Sequence, residues 1–191
     1  MVLLPGTVLP LHVFEPRYRT LIADCLAADP ILGIATVQTG GADCDRSTPQ
    51  LFPEIGVGRI VQYQPFRDGR SNIVVEAVER AVLVAELPTS QPYRVATARA
   101  LPPRDPRGGG VDRLRLLLLQ LGTVSGHAQD ELRRICALGD LALVDALASR
   151  VLVDPDARRA YLGRATFSAQ VADVEAQLAE LLITGEPSAQ A

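Results

Sequence analysis

A chain of 191 residues with 48% apolar content is long enough to bury one large core or two small ones. Its formal net charge of −3 offers no overall field for a phosphate backbone, so nucleic acid is not the expected partner. All 19 basic residues are arginine, which excludes both a P-loop and a Ser-Lys dyad, since each runs through a lysine amine.

Residues 1–6 lack a basic leader region, and Pro5 interrupts the chain before an apolar segment forms, so no secretory signal is expected and the expected compartment is the cytoplasm. No apolar run approaches the roughly 18 residues of a membrane span. Residues 14–29 read as the first helix. Pro16 suits its first position, and Tyr18, Leu21, Ile22, Cys25 and Leu26 recur at helical spacing. Residues 31–37 form an apolar run of strand length, and 38–53, rich in Gly, Asp, Ser, Thr and Pro, form a long surface loop.

From 55 to 101 the pattern changes to short β-branched runs. Strands 56–64 and 71–78 flank Arg67-Asp68-Gly69-Arg70, where Asp-Gly supplies the positive φ values of a tight hairpin turn. Residues 81–86 and 93–101 are two further strands. With no β-α-β alternation, several short strands and one early helix predict a small, partly closed barrel rather than a doubly wound sheet. The stretch 102–110, rich in Pro and Gly, sustains neither helix nor strand and reads as a linker between domains 1–101 and 111–185.

Beyond the linker the pattern is helical, over 111–122, 130–138, 141–152 behind an Asp140 cap, and 155–163 behind an Asp154 cap with Pro155 first. A last helix, capped by Ser168, carries the stripe Val171, Val174, Leu178, Leu181 and Leu182 and closes at Gly185. Residues 186–191 read as a disordered tail. The fold class is therefore α+β, a strand-rich head followed by a helical bundle.

Three stretches carry a family resemblance. LPLHVFEPRYRTLIADCL at 9–26 resembles the opening signature of the Lon protease N-terminal (LON substrate-binding) domain, in which a proline-led strand enters a helix through Phe-Glu-Pro-Arg-Tyr. IGVGRIVQYQPFRDGRSNIVVEAVERAVL at 55–83 resembles the family's hairpin around a DGR turn, and YRVATAR at 93–99 its closing strand. VLVDPDARRAYL at 151–162 is similar, more loosely, to its C-terminal helices. The resemblance implies a PUA-like β-pseudo-barrel followed by a helical bundle, and a stand-alone form lacking the ATPase and peptidase domains. Two departures stand out: only Val2-Leu3-Leu4-Pro5 precedes the first turn where the family has a longer strand, and the loop 38–53 is longer than usual.

Candidate chemistry is sparse, and no catalytic, cofactor or metal residue is assigned. Cys25, Cys44 and Cys136 form no C-x-x-C pattern; Cys25 and Cys136 read as small core side chains, and Asp43 and Asp45 disfavour a Cys44 thiolate. His12 and His127 lie far apart in different predicted domains, and no Cys/His spacing suits zinc. His12 reads as a structural hydrogen-bonding residue, and His127 as a solvated turn residue. Gly108–Gly110 precede a helix, but without a following Lys-Ser/Thr they read as linker rather than anion cradle.

The densest polar cluster is Glu15, Arg17, Tyr18 and Arg19, in which Glu15 is expected to cap the helix and pair with an arginine. Phe14, Tyr63, Phe66 and Tyr93 are half of the eight aromatics and all fall in the strand-rich half. Each alone reads first as core packing, with Phe66 the one expected at the surface. Together with His12, Glu15 and Arg17 they make the candidate recognition surface.

The leading expectation is a non-catalytic module binding unfolded or apolar peptide, or a protein partner, with pairing along an open sheet edge as one mode. The alternative is RNA binding along Arg59, Arg67, Arg70, Arg80 and Arg94. A hydrolytic site ranks last, since no nucleophile and base can be paired.

Overall fold

The computed structural model describes residues 1–38, 49–107, 110–124 and 129–184. The expectations for Asp43, Cys44, Asp45, Gly108, Gly109, His127, Gly185 and the tail fall outside the described residues. The chain divides into two compact units, Met1–Leu101 and Pro102–Ala191.

The first unit contains β1 (Val8–Val13), α1 (Pro16–Ala27), β2 (Ile31–Ile34), β3 (Glu54–Pro65), β4 (Ser71–Leu87) and β5 (Val95–Ala100). These five strands form one antiparallel sheet in the order β1-β4-β3-β2, with β5 also paired to β4. The sheet rolls without closing, which is the pseudo-barrel with an early helix that the sequence predicts.

Pro16 opens α1 as expected, because its fixed φ suits the first turn and its missing N–H would have had no helical partner. Glu15 stands at the cap position, but its side chain makes no capping bond; its carboxylate pairs with Arg17 instead. Only part of the predicted stripe is covered: Ile22 is buried and Leu21 and Cys25 half-buried, whereas Tyr18 and Leu26 are exposed.

The hairpin between β3 and β4 forms where Asp-Gly predicts it, by a different turn. Gly69 N–H donates to the Phe66 carbonyl at 3.1 Å, Phe66 N–H to the Arg70 carbonyl at 2.8 Å, and only Gly69 has positive φ, at 82°. This is a three-residue loop, a type I turn followed by a left-handed glycine, rather than a two-residue turn with two positive φ values. Asp68 braces it by accepting from the backbone N–H of Arg70 at 3.0 Å.

Sequence reading splits β4 in two near Val78, where the structure has one 17-residue strand. The cause is a β-bulge: Val57 pairs with Glu79 and Gly58 with Ala77, so Val78 has no partner. Val61 in β3 and Val84 in β4 are skipped in the same way. All three valines are exposed, because a bulge residue drops out of the alternation that buries its neighbours, and each bulge adds curvature to the sheet.

The core of this unit gathers Leu3, Val13, Ile22, Ile60, Ile73 and Val75. Leu3 reaches it only because β3 carries two glycines beneath it. A β-carbon at Gly56 would lie 2.3 Å from the Leu3 carbonyl oxygen, and one at Gly58 would lie 2.2 Å from Val75 Cγ1 and 2.8 Å from Leu3 Cδ2.

The second unit is helical: α2 (Val111–Val124), α3 (Gln129–Cys136), α4 (Asp140–Val151), α5 (Pro155–Gly163) and α6 (Phe167–Thr184). Asp154 caps α5 as predicted, accepting from Ala157 N–H at 2.9 Å. Two predicted caps are displaced. Gly139, not Asp140, stands at the N-cap of α4, and Asp140 accepts from Arg115 at 2.8 Å. Thr166, not Ser168, caps α6 by accepting from Ala169 N–H at 3.2 Å.

The proline-rich segment before α2 is anchored to this unit through Arg104. Its guanidinium makes two bonds to the Asp145 carboxylate, at 2.5 and 2.8 Å, and the Tyr161 hydroxyl donates to the same carboxylate at 2.8 Å. Burial alone would lower the Arg104 pKa, but the Asp145 carboxylate outweighs it and the net direction is upward. No described helix is long and apolar enough to cross a membrane.

Two predictions follow from this packing. Gly58→Ala lowers the stability of the first unit by about 1–3 kcal/mol through overpacking, while Gly33→Ala, whose β-carbon meets only Ile55 Cδ1 at 3.5 Å, is neutral or stabilising by about 0.4–1 kcal/mol; thermal unfolding of the two variants checks the contrast. In the second unit, Asp145→Ala removes the carboxylate that a largely buried guanidinium and a buried phenol share and costs about 3–5 kcal/mol. The Arg104→Met/Asp145→Leu double variant costs less than the two single changes together, as a double-mutant cycle by urea unfolding reads out.

Candidate functional site

Along β1 the side chains alternate, with Val8, Pro10 and His12 exposed and Leu9, Leu11 and Val13 covered, because β1 presents one face to the core and the other to solvent. The register then sets two rows across three strands. Pro10 pairs with Val74, which pairs with Gln62; His12 pairs with Asn72, which pairs with Gln64. These six residues, with Tyr63, line an open groove of about 820 Å³ that carries no charged side chain.

His12 is held by Asn72, whose Oδ1 lies 2.7 Å from the imidazole Nδ1. The hydrogen-bonding role predicted for His12 is thus present, at an exposed position. Its ring stacks on Phe14 at 6.1 Å between centroids and meets Phe66 at 6.0 Å in a tilted arrangement. The reading of these aromatics as core is corrected by their exposure: Phe14 is 60%, Tyr63 48% and Phe66 39% exposed. Phe66 is at the surface as expected, but less so than the other two. Phe14 follows the last residue of β1 and Phe66 sits at the hairpin turn, so neither ring lies within a strand.

The remaining predicted residues flank this cluster or lie away from it. Glu15 and Arg17 form an ion pair at 2.8 Å, and the Arg17 guanidinium lies 4.6 Å over the Tyr18 ring. Tyr93 does not line the groove; its hydroxyl donates to Asp24 of α1 at 2.7 Å. That hydrogen bond, followed by desolvation and the charge of Asp24, raises the Tyr93 pKa above its ordinary value.

Pro10, Gln62, Gln64, Asn72 and Val74 escaped sequence reasoning. The usable signal was the alternation of β1 combined with the hairpin register, which fixes what faces His12.

Little supports other chemistry. Burial, and then Asp24 and Asp29, push the Cys25 thiol up, and the thiol donates to the Ile31 carbonyl at 3.4 Å, which opposes a reactive thiolate. Among the described residues no three His, Cys, Asp or Glu side chains gather to hold a metal ion. The five arginines expected to form a basic stripe do not do so: Arg59 pairs with Asp29 at 3.4 Å, Arg70 with Asp68 at 2.6 Å and Arg94 with Glu86, and Arg80 is buried. Arg67 has no carboxylate partner among the described residues. On the open edge of β1, Pro10 has no N–H to give an added strand, which weakens strand pairing there as a binding mode.

The rolled sheet with one early helix, followed by helices, is the fold of Lon N-terminal domains. It matches a Lon N-terminal domain protein from Xanthomonas campestris with a TM-score of 0.69, at 20% identity over 92% of both chains. It also matches the N-terminal domain of a Mycobacterium avium complex Lon protease with a TM-score of 0.72, at 16% identity over 94% of both.

Residues 1–161 match the ATP-dependent protease La (LON) substrate-binding domain, and the chain belongs to that family. It is 25% identical over 178 residues to Lon protease 1 of Herpetosiphon aurantiacus, an alignment covering 92% of this chain and 21% of that protein. The chain thus spans about a fifth of the length of that curated relative.

The Tyr93 contact is directly testable. The Tyr93 phenol titrates above the usual tyrosine range, and Asp24→Asn returns it toward that range, because the carboxylate that favours the protonated phenol is gone. Ring-carbon chemical shifts followed against pH report both.

Proposed function

We propose that the first unit is a non-catalytic recognition module that binds unfolded or apolar peptide segments in the groove across β1, β4 and β3. The carrying observation is the uncharged groove bordered by three solvent-exposed rings, His12, Phe14 and Phe66, in a domain of the substrate-binding family. Exposed rings beside an uncharged floor gain most by covering apolar side chains, since the ring surface still open to water is removed from it. The amides of Gln62, Gln64 and Asn72 add hydrogen-bonding groups that an extended backbone satisfies without a particular sequence. Recognition of this kind is broad, which suits a module meeting unfolded segments.

Fluorescence anisotropy with a short, labelled, uncharged peptide rich in Leu and Phe tests the reading. Binding is saturable and little changed by salt, because no ion pair contributes. Phe14→Ser and Phe66→Ser each weaken it about tenfold, as central aromatic anchors do, while leaving thermal unfolding in place. Unaltered affinity in both variants would remove the groove as the site.

A further inference from the structure

We infer that the groove selects by charge as well as by apolarity, and that its preferred occupant is an extended peptide in which a carboxylate adjoins the apolar side chains. The inference rests on the reading of the groove as a peptide site and adds the chemistry of one end of it.

At that end the hairpin tip and the first turn of α1 come together. The Arg19 guanidinium lies over Gly69, so closely that a β-carbon there would stand 1.9 Å from its Nη2. The same tip carries Arg67, Arg70 and Phe66, whose ring is 6.0 Å from His12. Four arginines, Arg17, Arg19, Arg67 and Arg70, therefore border the aromatic end, against two carboxylates, Glu15 and Asp68. Arg17 is matched to Glu15 and Arg70 to Asp68. Arg19 and Arg67 have no carboxylate within ion-pair distance among the described residues.

The first turn of α1 also contains no acidic residue. Basic side chains there oppose the helix dipole, a local cost that a bound anion relieves. In a chain of net charge −3, two unmatched guanidinium groups beside exposed rings are a local reversal of sign. Two such groups suit one carboxylate, which a guanidinium binds through paired hydrogen bonds. They do not suit a polyphosphate, which needs a track of cations that the pairing of Arg59, Arg70 and Arg94 denies it. The carboxylate comes from an Asp or Glu side chain or from a peptide's C-terminus.

The test compares labelled peptides with one Leu- and Phe-rich centre, flanked by Asp, by Asn or by Arg, and the Asn form with either a free or an amidated C-terminus, using the full chain. Two exposed charge pairs, each worth about twofold to fivefold, make the Asp peptide about tenfold tighter than the Asn peptide at low salt, with the Arg peptide weakest. A gain for the free C-terminus assigns the preference to terminal carboxylates, and a gain for internal Asp assigns it to side chains.

In Arg19→Gln/Arg67→Gln the Asp advantage falls below about twofold, whereas affinity for the amidated Asn peptide is unchanged. Equal binding of the Asp and Arg peptides, or an Asp advantage that survives the double variant, overturns the inference and leaves the groove reading intact. Failure of the Asn peptide to bind at all overturns the groove reading itself. Displacement of the Asp peptide by a single-stranded oligonucleotide at lower concentration than by unlabelled peptide also overturns the inference, in favour of a nucleic-acid partner.

Discussion

The close approach of Leu3 to β3 is the contact around which the first unit is arranged. Two glycines at alternate positions, Gly56 and Gly58, leave a bare strip of backbone, and Leu3 lies on it with its carbonyl and side chain where β-carbons would otherwise be. A strip of this kind weakens a strand, since glycine brings no side chain to pack and the greatest backbone entropy to lose. Here the loss is offset because Leu3 fills the space and joins Ile60, Ile73 and Val75 in one core. The β4 bulge at Val78 faces the same stretch, so curvature and close approach occur together and the sheet rolls over the core.

That rolling fixes the opposite face as well. With Leu9, Leu11 and Val13 turned toward the core, period-two alternation sends Val8, Pro10 and His12 outward, and the register matches them to Glu76, Val74 and Asn72 of β4, the last two facing Gln62 and Gln64 of β3. The groove is thus the reverse side of the core. It lacks charge because its outward positions carry amides, a proline, a valine and His12, and the nearest charged pair, Glu76 opposite Arg59, lies in the next row along the sheet.

The helical unit uses another device. Its core is mostly Leu and Val, but a buried carboxylate, Asp145, sits within it and is matched by Arg104 and Tyr161. A buried pair of this sort contributes little net stability compared with apolar residues of similar size, yet breaking it is costly, so it favours one arrangement over many. Arg104 lies in a stretch of prolines that cannot form a helix, and the pair gives that stretch a defined place against α4 and α5.

Periodicity and turn chemistry were enough to read the α+β class, the early helix opened by Pro16, the hairpin at Asp68-Gly69 and the Asp154 cap, because each depends on residues within a few positions of one another. Bulges defeated the strand count: Val61, Val78 and Val84 look like ordinary strand residues, and only pairing with a distant strand shows them to be skipped. The caps at Gly139 and Thr166 were displaced for a related reason, as Asp140 was taken by Arg115 from another helix. His12, Phe14 and Phe66 could be named as candidates, but their exposure and convergence required tertiary structure. A chain's local preferences are set by neighbours in sequence, whereas which face of a strand meets water is set by register and by what the core accepts.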